Sequence, residues 1–219
     1  VIILKSWRTE AGAGAIASHT GSLSGGDSAY QALFNQSGII RAETISELFD
    51  FAQVFSENDL KIINKVAIIT NAGGPGVLTT DAVVKSGFKL SKLSTSTTKN
   101  LKSFLPESAN VHNPVDVLGD ALSDRYEHAL QVVMKDKDVD AGIVLLTPQT
   151  MTEVEGTAKA IIKVSKSVKK PIIASFMGEH SVARGIEMLQ KADIMTTRFP
   201  EPAADSLAAL SNFAKWTKL

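Results

Sequence analysis

The sequence contains no cysteine, and this absence removes several kinds of chemistry at once. A chain without thiols forms no disulfide and offers neither a thiolate nucleophile nor cysteine ligands for zinc. The absence fits a cytoplasmic protein, which is the location we expect. No apolar run approaches the ~20 residues that span a bilayer, and no signal peptide is visible, so we expect no membrane partner.

The chain also lacks an excess of either charge, with 23 Lys and Arg against 23 Asp and Glu among its 219 residues. Nucleic-acid binding depends on a basic excess that neutralises phosphates, so we expect no nucleic-acid partner. The four histidines show no metal-ligand spacing, and we predict no metal site. A length of 219 residues suffices for one large domain or two small ones, and the hydrophobic fraction of 44% is ordinary for a globular protein.

Short apolar runs alternate with amphipathic segments from residue 65 onward. We predict a parallel sheet with helices on both faces, because strands buried on both faces read as continuous apolar runs. This is an α/β fold, a doubly wound parallel sheet of flavodoxin-like type. The predicted strands are 65–73, 88–94, 140–149, 170–178 and 193–199, and NPVDV (113–117) is predicted to be a loop. Helices are predicted between and after the strands, among them 123–135 and 200–216.

The segment before residue 60 is too small for a sheet of its own. It holds strand candidates at 1–7 and 37–43 and helix candidates at 28–36 and 45–57, and two strands seldom make a stable parallel sheet. We interpret it as the C-terminal half of a second flavodoxin-like domain, which gives two domains, 1–60 and 61–219. The chain opens on the strand-like VIILK without Met, so we expect it to be part of a longer polypeptide.

The helix candidate at 45–57 shows how one of these elements is expected to pack. Thr44 or Ser46 is a suitable N-cap residue. The apolar spacing predicts a core-facing stripe, which consists of Ile45, Leu48, Phe49, Ala52 and Phe55.

The stretch TNAGGPG (70–76) follows a strand candidate and opens a helix. Gly73, Gly74 and Gly76 allow a tight turn that exposes backbone N–H groups, and a helix N-terminus adds unpaired donors and a positive dipole end. Together these features predict an anion site, most plausibly for phosphate. The P-loop Lys-Ser/Thr is missing, so this is not a classical nucleotide triphosphatase motif. A plain strand-to-helix turn without a ligand explains the composition equally well.

The stretch ASHTGSLSGG (17–26) places His19 among small residues, which leave it little to pack against. We therefore interpret His19 as presented rather than buried. A neutral imidazole is available as a nucleophile near neutral pH because its pKa is ~6.5. The other histidines, His112, His128 and His180, carry no comparable signal, although His180 follows a strand end.

Asn113 and Asp116 lie in the NPVDV segment, which follows a sheet element. In a doubly wound fold such segments gather at the carboxyl ends of the strands, the edge where these sheets bind ligands. Both residues are therefore possible supporting residues, although Pro and Gly in such loops often only shape turns.

These motifs together resemble the NDP-forming acyl-CoA synthetases of the succinyl-CoA synthetase superfamily. The stretch SHTGSLSGGDSAY resembles their phosphohistidine segment, and the later runs VAIITNAGGPGVLTTDA, NPVDVLGDA, TPQTMT, FMG and FPE are similar to the ligase domain that follows it. The resemblance covers nearly the whole chain. It is greatest to the ADP-forming acetate–CoA ligase type, and it implies an alpha-type portion of such an enzyme.

The resemblance implies a role for each of the motifs. The reaction converts an acid, ATP and CoA reversibly into acyl-CoA, ADP and phosphate, and His19 matches the histidine that carries the phosphoryl group. Ser18, Thr20 and Gly21 surround that histidine as possible supporting residues. The stretch that contains Asn71, Gly73, Gly74 and Gly76 matches one of two helix N-termini that hold the phosphohistidine.

The resemblance also implies partners and cofactors. An ATP-grasp domain or subunit and a CoA-binding Rossmann domain are expected, in the same chain or another, within an oligomer of αβ type. CoA, ATP or ADP and Mg²⁺ would be bound mostly by those domains, with phosphate at the phosphohistidine site. This segment alone is then an incomplete enzyme.

Three alternatives remain open at this stage. The chain could belong to a succinyl-CoA synthetase proper, although that enzyme usually places the second domain on its other subunit. It could be a non-catalytic acyl-CoA synthetase-like regulatory module, although such modules tend to lack the histidine that this chain retains. It could also be a plain nucleotide-binding flavodoxin-like domain, in which case it would bind FMN or NAD.

Overall fold

A computed structural model describes residues 1–6, 9, 11–12 and 26–218. The larger sheet has six strands: β3 (Lys65–Thr70), β4 (Lys89–Leu90), β5 (Val115–Asp116), β6 (Ala141–Leu146), β7 (Ile172–Phe176) and β8 (Thr196–Thr197). Their order is β4-β3-β6-β7-β8, β5 pairs with the other end of β3, and every pairing is parallel. The predicted α/β fold with a doubly wound parallel sheet is confirmed.

Helices follow the strands on both faces of this sheet. They are α3 (Gly73–Lys85), α4 (Thr95–Phe104), α5 (Ser123–Lys135), α6 (Val154–Ser165), α7 (Ala183–Gln190) and α8 (Pro200–Trp216). Helices α3 and α8 cover one face, and α4 to α7 cover the other. Alternate residues of each central strand enter the two cores. On β3, Ile68 faces α3 and α8 while Ile69 faces the opposite layer, and both are fully buried.

A smaller unit precedes this sheet. It contains β1 (Ile2–Leu4), α1 (Asp27–Ser37), β2 (Ile40–Ala42) and α2 (Ile45–Glu57), and β1 pairs with β2 in parallel. Thr44 caps α2, because its hydroxyl accepts a hydrogen bond from the Glu47 N–H (3.1 Å). The division at residue 60 stays a prediction.

The two units meet where α2 packs against α8. The Phe55 ring contacts the Phe213 ring edge to face at 5.7 Å between centroids. The ring of Trp216 lies against Gly38, where an added Cβ would stand 2.5 Å from the indole. Because Gly38 also has a φ of 64° as the C-cap of α1, the position requires glycine for two reasons.

The face that α2 buries differs from the predicted one. Phe51 and Val54 are buried, whereas Ile45 and Phe49 are 67% and 69% exposed. Ala52 is also exposed, and Leu48 and Phe55 are half-buried. The apolar residues of this helix occupy more than one face, so their spacing alone did not define which face packs on β1 and α8.

The segment 113–117 is also not purely a loop. Val115 and Asp116 form the short strand β5, which pairs with Ile69 and Thr70 of β3. Val115 within the strand and Val117 directly after it are buried in the same core. Because Pro114 and the polar residues beside it are typical of a loop, the pattern did not indicate this two-residue strand, which extends the sheet next to the end of β3.

No helix within residues 1–6, 9, 11–12 and 26–218 is long and apolar enough to cross a membrane.

Candidate functional site

The strand order reverses between β3 and β6, and this reversal defines the candidate site. After β3 the chain continues into α3 on one face, and after β6 it continues into α6 on the other. The two connections therefore separate at the carboxyl edge of the sheet and leave a crevice, which is where open α/β sheets bind ligands. The TNAGGPG stretch lies at this crevice.

Asn71 joins the two connections. Its side-chain N–H donates to the Thr147 carbonyl (2.8 Å), and its side-chain oxygen accepts from the Thr147 N–H (2.9 Å). Asn71 is 2% exposed. Its amide is thus used in holding the crevice together, and its contact with phosphate stays a prediction.

The N-terminus of α3 offers backbone donors beside this bridge. Ala72 is its N-cap residue and supplies no capping side chain. The Thr70 hydroxyl accepts from the Ala72 N–H (3.0 Å), and the Gly76 N–H donates to the Ala72 carbonyl (3.2 Å). Within the described residues no acceptor reaches the N–H groups of Gly73 and Gly74, and both glycines are exposed. Since Pro75 has no N–H, these two are the free donors of the first turn.

The three glycines of α3 have different surroundings. An added Cβ at Gly74 would meet nothing within 4 Å, whereas at Gly76 it would stand 3.1 Å from the Thr70 methyl carbon and 3.7 Å from the ring of Pro114. Gly76 is buried and its N–H is paired, so its glycine allows α3 to pack closely on β3. Gly73 and Gly74 instead leave space above their free N–H groups.

Asp116 also stands at the start of α3. One of its carboxylate oxygens would be 3.9 Å from a Cβ at Gly73, and the other accepts from the Leu118 N–H (2.9 Å). That bond closes a turn in which Leu118 has a φ of 74°. After the turn, Gly119 lies so close to Asn71 that a Cβ added at Gly119 would stand 3.7 Å from the Asn71 carbonyl oxygen. Burial, and then the Asp116 charge, raises the pKa of Tyr126 well above its usual value.

Asn113 bonds to the backbone of the sheet edge rather than to the crevice. Its side-chain oxygen accepts from the Ile68 N–H (2.9 Å), and its side-chain N–H group donates to the carbonyls of Val66 (2.8 Å) and Ser91 (3.1 Å). These bonds fill the edge of β3 between the points where β4 and β5 pair with it. Asn113 supports the sheet that carries the site.

The segment with the predicted carrier lies outside the described residues, so the positions of His19, Ser18, Thr20 and Gly21 stay predictions. Among the histidines that are described, His128 bonds to Asn100 (2.9 Å) and stacks on Phe104, while His112 and His180 are exposed. No group of three or more residues that could hold a metal occurs in the part of the chain that the structure describes.

The contacts of three further residues at this site could not be predicted from the sequence. The Thr70 hydroxyl, Thr147 and Gly119 shape the crevice through short contacts with the backbone around Asn71. Thr147 falls within the predicted strand 140–149, but its link to Asn71 spans 76 residues of sequence. Such pairings depend on the sheet order, which a local pattern does not contain.

The fold and crevice define a doubly wound α/β protein whose strand-order reversal lies beside free helix N-terminal donors. Residues 66–219 match the family model described as Ligase-CoA domain, and residues 1–55 match the one described as succinyl-CoA ligase like flavodoxin domain. The chain belongs to the Ligase-CoA domain family. The resemblance to ADP-forming acyl-CoA synthetases is thereby confirmed.

Named relatives agree with this assignment. The chain is 41% identical over 219 residues to acetate–CoA ligase (ADP-forming) II subunit alpha of Pyrococcus furiosus, with 98% of this chain and 48% of the relative covered. It is 38% identical over 218 residues to 4-hydroxybutyrate–CoA ligase (ADP-forming) of Nitrosopumilus maritimus, with 100% and 31% covered.

A solved structure gives the same result at the level of the fold. It is dinucleotide forming acetyl-coenzyme A synthetase 1 of Ca. Korarchaeum cryptofilum, in complex with phosphate and ADP. The TM-score is 0.90 at 36% identity, with 98% of this chain and 47% of that chain covered. The chain thus spans 31% to 48% of the length of these relatives.

Proposed function

We propose that this chain is the phosphoryl-carrying portion of an ADP-forming acyl-CoA synthetase. The complete enzyme would convert an acid, ATP and CoA into acyl-CoA, ADP and phosphate, reversibly. In the acyl-CoA-consuming direction, phosphate displaces CoA from the thioester to give an acyl phosphate. A His19 ring nitrogen then takes the phosphoryl group, which releases the acid, and ADP takes it from His19 to form ATP.

The observation that carries this proposal is the pair of free N–H groups at Gly73 and Gly74. A phosphorylated imidazole bears negative charge, and N–H donors at a helix N-terminus stabilise such a group through hydrogen bonds and the helix dipole. Both glycines are exposed at the crevice; an added Cβ would meet nothing within 4 Å at Gly74, and at Gly73 it would stand 3.9 Å from an Asp116 carboxylate oxygen. At Gly74 a phosphoryl group can therefore approach without moving a side chain.

The remaining predicted residues act around this pair. Asn71 fixes the crevice through Thr147, Gly76 sets the distance between α3 and β3, and Asp116 shapes the turn toward Gly119. We assign these three residues to positioning. Gly73 and Gly74 are assigned to the contact with the phosphoryl group, together with a second helix N-terminus from outside the described residues.

The expected partners are those that the resemblance to ADP-forming acyl-CoA synthetases implies. Because the chain spans at most about half of their length, nucleotide and CoA binding are assigned to further domains. We propose an ATP-grasp domain or subunit for ATP, ADP and Mg²⁺, a Rossmann domain for CoA, an αβ-type assembly and a cytoplasmic location.

Phosphoenzyme labelling tests the proposal. The complete enzyme is incubated with γ-labelled ATP, and we expect phosphate that is labile in acid and stable in base. His19→Ala should abolish the label, because the nucleophilic nitrogen is lost. His180→Ala is the matched control, since His180 is exposed after β7, and it should keep the label.

Two outcomes would contradict the proposal. Labelling that persists in His19→Ala would place the phosphoryl group on another residue. A wild-type enzyme that takes no label in the presence of its substrates would favour a regulatory module instead.

A further inference from the structure

A second candidate anion site lies away from the Gly73–Gly74 pair, at the edge of the sheet next to β4. It is a cleft of about 690 Å³, which is within the size range of small-molecule sites. We call it the β4 cleft. Its lining residues are Ser91, Lys92, Leu93, Thr95, Thr98, Lys99, Lys102, His112 and Asn113.

The charge of the β4 cleft has one sign. Lys99 and Lys102 project from the same side of α4, three residues apart, and Lys92 and His112 approach from the loops on either side. None of the lining residues is acidic, and no carboxylate among the described residues forms an ion pair with the three lysines. A chain with zero net charge thus concentrates three ammonium groups around one cavity.

The backbone around the β4 cleft is held in place. Ser94 caps α4, where its hydroxyl accepts from the Thr97 N–H (3.3 Å), and the Asp136 carboxylate accepts from the Ser94 N–H (2.8 Å) at the same end of the helix. The Asn113 amide bonds to the Ser91 carbonyl. An anion that enters would meet a rigid base rather than a mobile loop.

Ser91 gives an independent indication of a ligand. It lines the cleft, is 3% exposed, and its hydroxyl has no hydrogen-bond partner among the described residues. A buried polar group without a partner costs free energy, so such groups are rare unless a water or ligand satisfies them.

We propose that the β4 cleft binds a small anion that carries two or more phosphate groups. Three ammonium groups exceed the charge of a single phosphate, and the cleft is large enough for a nucleoside diphosphate. Lys99 and Lys102 bind the phosphates from α4, Lys92 binds them from the opposite loop, and the Ser91 hydroxyl donates at the base. This assignment does not depend on the phosphohistidine step.

Calorimetric titration of the full chain with pyrophosphate and ADP tests the proposal. We expect saturable binding of both that weakens as salt is raised, weaker binding of orthophosphate, and none of adenosine. K99Q/K102Q should weaken pyrophosphate binding at least tenfold. K159Q/K166Q is the matched control, because it removes the same charge from an exposed lysine of α6 and from the C-cap residue of that helix. This pair should change pyrophosphate binding less than twofold.

Two further variants distinguish pyrophosphate binding in the β4 cleft from binding elsewhere on the chain. Ser91→Ala should weaken binding several-fold without lowering unfolding stability, because its hydroxyl makes no bond to lose. Lys85→Gln, which removes one exposed lysine from the last turn of α3, should leave pyrophosphate binding unchanged.

Three results would overturn the proposal. The first is an absence of saturable binding. The second is equal weakening by the two lysine pairs, which would indicate general charge attraction. The third is tighter binding of poly-glutamate than of pyrophosphate, which would indicate a docking surface for an acidic protein.

Discussion

At the scale of single residues, Asn113 shows how one amide completes a sheet. The Ile68 N–H points away from β6 and finds its acceptor in the Asn113 side chain, where a neighbouring strand would otherwise stand. Ile68 is fully buried, so this donor has no access to water. The residue type is required by geometry, although the sequence suggested only a supporting role in a loop.

Replacing Asn113 should therefore lower stability. In Asn113→Ala the Ile68 N–H is left unpaired, which costs about 1–3 kcal/mol. Asn113→Asp keeps the acceptor and loses both donor bonds, so it too should be destabilised. His112→Ala, an exposed neighbour, should stay within about 0.5 kcal/mol of wild type. Urea unfolding measures all three, and equal stability of Asn113→Ala and His112→Ala would contradict this role.

At the scale of one element, α2 shows the limit of apolar spacing. Thr44 is confirmed as its cap, and its bounds of 45–57 agree with the predicted ones. The buried face is centred on Phe51 and Val54, and Ile45 and Phe49 are left outside. A helix with apolar residues on several faces is ambiguous until its neighbours, here β1 and α8, are placed.

A pair of phenylalanine variants tests the corrected face. Phe51→Ala should cost about 3–5 kcal/mol, because it removes a buried ring and leaves a cavity. Phe49→Ala removes the same atoms from an exposed position and should cost at most about 0.5 kcal/mol. Denaturant unfolding followed by circular dichroism gives both values, and the reverse ranking would restore the face predicted from spacing.

Helices were easier to predict than short strands. The bounds of α5 and α8 were predicted as 123–135 and 200–216, as observed, since long amphipathic periods are strong signals. The predicted strand at 193–199 has only two paired residues, and β5 was predicted as a loop. A two-residue strand is defined by its partner rather than by its own composition.

At the scale of the whole molecule, the smaller unit is attached to the sheet domain through α8. The Trp216 indole lies on the backbone of Gly38, and Phe213 connects it to Phe55. No sequence pattern indicated this contact, because Gly38 and Trp216 are far apart in the chain. The doubly wound architecture was predictable from the alternation of strands and helices, whereas the packing between units was not.

Gly38→Ala tests this contact, with Gly87→Ala as its matched control. Both glycines have positive φ values, 64° and 88°, so either alanine carries a backbone cost of about 1–2 kcal/mol. Only at Gly38 would the added Cβ also collide with Trp216, while Gly87 has open space. We expect Gly38→Ala to be clearly less stable and to shift Trp216 fluorescence. Identical stability and spectra for the two variants would mean that Trp216 does not pack on Gly38.

The central claim is that the free N–H groups at the start of α3 hold the phosphoryl group. Gly73 is the first helical residue, a position that suits proline, and Ala72 before it has the extended backbone that proline requires. Gly73→Pro therefore removes one N–H while keeping the helix, and Gly73→Ala adds a Cβ but keeps the N–H.

The most direct measurement is the fraction of phosphorylated enzyme at a fixed ratio of ATP to ADP in these two variants. A hydrogen bond to a charged group contributes about 1.5–3 kcal/mol, so Gly73→Pro should reduce phosphorylation about tenfold to a hundredfold relative to Gly73→Ala. Equal phosphorylation in two folded variants would show that this N–H does not contact the phosphoryl group.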